Sequence, residues 1–141
     1  MTAVYNNLEI FHLAYKFVIK IYPYVDKFPE NEQKNLILQI KRSAVSIPLN
    51  IAEGSSRRTD RQFLPFLGYA FGSAKELEVS LKLSRDLGFV SAADYEILSE
   101  DLQRLVAKLA ALMRHMEQKL PGKKEVVMGA IVRGENPLVE S

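Results

Sequence analysis

Three arginines, Arg57, Arg58 and Arg61, stand within seven residues of chain against a single acid, Asp60. A second basic pair, Lys41 and Arg42, lies upstream. Guanidinium groups grip phosphate oxygens in a bidentate fork, so clustered arginines between helices are candidate contacts for a nucleic-acid backbone. Lys41, Arg42, Arg57, Arg58 and Arg61 are therefore the candidate nucleic-acid-binding residues. The competing reading is a solvated loop whose arginines pair with Asp60 and Glu53. In one copy the patch is small. Repeated around a ring, it would hold a polyanion that one copy could not.

Other chemistry lacks its parts. Glu9-Ile-Phe-His12 has the Glu-x-x-His spacing of one half of a di-iron site in a helical bundle. The second half would need a glutamate three residues before the other histidine, His115, and Leu112 stands there. There is no cysteine to serve as a nucleophile, metal ligand or disulfide partner. Gly54-Ser55-Ser56 lacks the Gly-Lys-Ser/Thr that completes a phosphate loop. The serines have no histidine at a readable spacing. A non-catalytic chain with no metal and no cofactor is expected.

These residues need elements to position them. At 141 residues the chain suits one domain, and 48% hydrophobic residues give it a core to bury. The net charge of +2 is modest, and much of the basic excess falls in the arginine segment. Met1 to Asn7 has no basic region followed by an apolar stretch, and no apolar run approaches the roughly 18 residues that span a bilayer. A cytoplasmic protein with no membrane partner is expected.

Apolar periodicity predicts four helices. The first runs from about Leu8 to Phe28 and carries two apolar stripes: Leu8, Phe11, Tyr15, Val18, Tyr22 and Val25, then Ile10, Ala14, Phe17, Ile21 and Phe28. One bundle covers only one such face, so the second points to contact with another subunit. Pro23 should kink or break this helix. The second helix follows Pro29, with Glu30 and Glu32 suited to its positive end. It runs to about Glu53, with Ile37, Ile40, Ala44, Ile47 and Ile51 inward and Gly54 as a left-handed cap. The Ser43 and Ser46 hydroxyls could serve backbone groups freed by Pro48.

The third helix starts near Thr59, where Thr59-x-x-Gln62 matches a capping box. It ends at Leu87 before Gly88. Phe63, Leu67, Ala70, Ala74, Leu77 and Leu81 form its inner stripe, and Gly68 and Gly72 are expected to permit a close helix contact. Ser91-x-x-Asp94 opens the fourth helix, which runs to about Lys119 on Leu98, Leu102, Leu105, Leu109, Leu112 and Met116. Short connections make successive helices antiparallel. The fold expected is all-α, an antiparallel up-down-up-down four-helix bundle over residues 1–120. Residues 121–141 form a tail that is either disordered or docked on a neighbouring subunit.

The segment QIKRSAVSIPLNIAEGSSRRTDRQFLPFLGYAFGSAKELE, Gln39 to Glu78, resembles the bacterial family of 23S rRNA intervening-sequence proteins. It is also similar to the accessory protein of diversity-generating retroelements. Ser46-Ile47-Pro48 followed by Asn50-Ile51-Ala52-Glu53-Gly54 is the most specific part. Asn7 to Phe11, Lys16, Phe28-Pro29 and Leu87 to Val90 extend the likeness to roughly residues 7–119. The resemblance implies a homopentameric ring of antiparallel bundles. Its retroelement relatives imply a basic surface that binds nucleic acid and a reverse transcriptase partner; its ribosomal relatives imply a ribosomal component.

The leading expectation is a homo-oligomeric, non-catalytic bundle that binds RNA or DNA backbones. The alternative is a protein-interaction scaffold with structural arginines.

Overall fold

A computed structural model describes Tyr5 and residues 8–120. The tail expected at 121–141 lies outside the described residues. Four helices make up the fold: α1 (Glu9–Val25), α2 (Leu36–Ser55), α3 (Asp60–Asp86) and α4 (Ala92–Glu117). No strand occurs among the described residues.

Local chemistry sets most of the boundaries. Thr59 caps α3, its Oγ1 accepting from Gln62 N at 3.2 Å, while Gln62 Oε1 reaches back to accept from Arg58 N. Ser91 caps α4 the same way, accepting from Asp94 N at 3.1 Å. Each bond satisfies an amide that the helix start leaves without a partner. Gly88 ends the α3 segment with φ of 81°, a left-handed conformation that glycine adopts without steric cost.

Elsewhere the structure departs from the sequence-based expectations. Residues Glu30–Glu32 form a separate 3-10 turn, and α2 begins only at Leu36. Glu32 still serves that start, its carboxylate accepting from Leu36 N at 3.2 Å. Pro23 falls in the final turn of α1, so the helix continues to Val25 with few backbone bonds left to lose. Gly54 is not the left-handed cap of α2: it is helical, and Ser56 closes the helix in right-handed geometry. The Ser46 hydroxyl is spent across the helix pair, 2.8 Å from Ser73 Oγ.

Gly72 makes no close contact either; a Cβ there would have open space. The close approach belongs to Gly54, where a Cβ would lie 2.6 Å from Phe66 Cβ and 2.7 Å from Phe63 Cδ1. On α4 the fully buried residue after Leu109 is Met113, and Leu112 is only half-buried. The inward stripe therefore steps by four twice running, because alternating steps of four and three average 3.5 and fall behind a 3.6-residue period.

Residue pairs fix the topology. Ser46 meets Ser73 and Gln39 meets Glu76, so α2 and α3 run in opposite directions. Arg85 lies over the Tyr95 ring and Lys119 pairs with Asp60, which reverses α4 against α3. Glu9 pairs with Lys108 and Lys20 with Asp101, reversing α1 against α4. The pairing of Asp26 with Lys41 closes the α1–α2 hairpin. This is an up-down-up-down bundle with one continuous core. Ile21, Ile40, Ile47, Ile51, Leu67, Leu77, Leu81, Leu98, Leu102, Leu105, Leu109 and Met113 are fully buried in it.

Candidate nucleic-acid interface

The second of the two apolar stripes on α1 faces the core: Ile10, Ala14, Phe17, Ile21 and Phe28 are all buried. The first is covered only in part. Tyr15 is 53% exposed, and beside it Ile19 is 63% exposed. Leu49, on the neighbouring α2, is 62% exposed. With Val18, Val45, Pro48 and Ala52 they line an open apolar groove of about 330 Å³ between α1 and α2. Val79, Leu83 and Leu87 on α3 and Ile97 on α4 are also exposed. Exposed apolar side chains thus occur outside that groove as well.

The five candidate basic residues do not form one patch. Lys41 and Arg42 lie near the start of α2; Arg57, Arg58 and Arg61 lie beyond its end, roughly 20 Å away along the axis. The two groups therefore occupy opposite ends of the bundle. Lys41 is engaged locally, with its Nζ 2.7 Å from Asp26 Oδ1 and 4.8 Å from the centre of the Tyr22 ring. Arg42 is exposed on the wall of a shallow groove it shares with Leu38, Asn50 and Glu53.

The other end, called the base here, gathers more positive charge than the sequence suggested. Arg57 pairs with Glu53 at 3.3 Å and lies over the Phe66 ring at 4.7 Å. Arg58 and Arg61 are exposed. Asp60, the loop's one acid, is engaged from α4 by Lys119 at 3.4 Å. Exposed pairs of this kind contribute about 0–1 kcal/mol to folding. Their importance lies in local charge: Lys119 offsets the acid beside three arginines. Sequence reasoning missed Lys119 because it lies 59 positions from Asp60. Only the antiparallel return of α4 brings it to the base.

Among the described residues, no three His, Cys, Asp or Glu side chains gather where they could hold a metal ion. Glu9 points to Lys108 at 3.1 Å, and His12 is exposed on α1. No described helix is long and apolar enough to cross a membrane.

Comparison with known proteins adds to this geometry. A family model described as 23S rRNA-intervening sequence protein matches residues 6–111, a span that includes every candidate basic residue from Lys41 to Arg61. The fold is similar to the crystal structure of a protein with unknown function from the S23 ribosomal protein family of Bacteroides thetaiotaomicron. The TM-score is 0.65 at 26% identity, covering 74% of this chain and 97% of that one. No curated protein matches the chain.

Proposed function

The chain belongs to the 23S rRNA-intervening sequence protein family, and from that premise we propose that it is a non-catalytic, homo-oligomeric bundle that binds RNA or DNA backbones. The observation that carries this reading is the base. Three arginines converge there, and their only neighbouring acid within the loop is held by Lys119. Phosphate oxygens are the complementary ligand, and the affinity would come chiefly from counterion release rather than from base recognition. Arg57, Arg58 and Arg61 carry the contact. Lys41 and Arg42, at the far end, would meet the same polyanion only across an assembly.

The open apolar groove between α1 and α2, with further exposed apolar residues on α3 and α4, supports assembly. A contact that joins the α1–α2 groove of one copy to exposed apolar residues on α3 of the next is heterologous, and such contacts form a ring where the rotation between copies closes. A pentamer is the ring size we propose, in line with the family resemblance. The family name supports a ribosomal RNA setting, and the retroelement resemblance adds a reverse transcriptase as a candidate partner.

The test is a fluorescence titration of single-stranded and duplex RNA and DNA at two salt concentrations. Wild type is compared with the Arg57→Glu, Arg58→Glu, Arg61→Glu triple variant. The expected result is binding at low salt that falls steeply as salt rises and is lost in the variant, with oligomer mass unchanged. Absence of wild-type binding at low salt, or equal binding by the variant, rejects the reading. The apolar α1–α2 groove favours a second reading, a scaffold that docks a protein partner, and that reading would then lead.

A further inference from the structure

We propose that the nucleic acid taken at the base is single-stranded, with an unpaired base stacked on the ring of Tyr69. This rests on the backbone-binding reading above and narrows it to one class of ligand. The inference starts from a column of side chains on α3. The Arg57 guanidinium lies over the Phe66 ring at 4.7 Å, and the Phe66 and Tyr69 rings stand edge-to-face, centroids 5.9 Å apart and planes at 86°. Phe66 is half-buried beneath the arginine, while Tyr69 is 44% exposed. An arginine and an open aromatic ring thus adjoin at the edge of a basic surface. That pairing is what sequence-tolerant single-strand binders use: cations follow the backbone while bases stack on rings.

The next turn of α3 keeps the ring bare. A helical side chain leans over the turn that precedes it, so the residue at position 72 is one of the two placed to cover Tyr69. That residue is Gly72, and nothing lies within 4 Å of where its Cβ would be. The neighbouring polar groups are engaged with one another. Asn50 turns its amide NH2 onto Ser46 O and Oγ at 2.9 and 3.0 Å, and Ser73 Oγ is 2.8 Å from Ser46 Oγ. The platform therefore presents a stacking face without a row of free donors to read base edges. In a duplex the bases are stacked on each other and cannot reach such a ring, whereas unpaired bases can be splayed onto it.

The experiment uses the full chain and a fluorescein-labelled single-stranded RNA of mixed sequence, alongside its fully paired duplex. Tyr69→Ala is expected to weaken single-strand binding by roughly 5- to 150-fold and to leave duplex binding nearly unchanged. Tyr69→Phe should retain wild-type affinity, because the ring and not the hydroxyl stacks. The chain has no tryptophan, so tyrosine emission is directly visible; saturating oligonucleotide should quench it in wild type and less in Tyr69→Phe. If Tyr69→Ala binds single strands as tightly as wild type while the triple arginine variant still loses them, this proposal falls and the backbone reading stands. If wild type binds neither probe, both fall. If Tyr69→Ala changes the oligomer mass, the ring is a subunit contact and the proposal is overturned.

Discussion

Gly54 and Phe66 approach so closely that no side chain fits between them: a Cβ on Gly54 would sit 2.6 Å from Phe66 Cβ. This contact draws the end of α2 onto the start of α3 and holds Phe66 under Arg57. Gly54→Ala should destabilise the bundle by about 1–3 kcal/mol, even though alanine is the better helix former. Reversible urea denaturation measures it. A neutral or stabilising result would mean that the two helices can separate at no cost.

Gly72 is the opposite case, since a Cβ there meets nothing within 4 Å. With no packing penalty, only backbone propensity remains. Gly72→Ala should raise stability by about 1 kcal/mol in the same assay. A loss would place Gly72 against a neighbouring copy.

Ile51 is fully buried and Leu49, two residues away, is 62% exposed. Ile51→Ala and Ile47→Ala should each cost about 2–5 kcal/mol. A cost below about 1 kcal/mol for either would contradict the burial seen here.

Leu49 and Ile19 project from the α1–α2 groove without contributing to the core. Light scattering should give wild type a mass several times the 16.0 kDa of one chain. The Ile19→Asp, Leu49→Asp double variant should remain helical by circular dichroism but fall towards the monomer mass, because a carboxylate cannot be desolvated against an apolar partner. A monomeric wild type would remove the ring.

Periodicity made the four helices legible, and with them Ile40, Ile47, Leu67, Leu77 and Leu98 as core. Thr59 and Ser91 were legible as caps because a cap bonds an amide three residues on, within reach of sequence reading. Gly54 was not. A helical contact glycine and a capping glycine look alike in sequence, and only the position of Phe66 separates them. The arginines were visible as a cluster, but Lys119 was not, and neither was the stack of Arg57 on Phe66 nor the bare ring of Tyr69. Lys119 depends on how helices distant in sequence face one another, and the other two on the fold of the α2–α3 turn and on which face of α3 is left uncovered.

An even number of antiparallel helices returns the chain to the end from which it set out. Glu9 and Glu117 therefore both lie at the arginine-rich pole, while Gly88 lies at the other. A label or affinity tag held close to Glu9 or Glu117 would lie beside the very surface being assayed, and a polyhistidine tag would add imidazoles to it. A circular permutant reopened at Gly88, with the old ends joined, would carry its tag at the far pole. Such a permutant separates binding by the protein from binding by its handle.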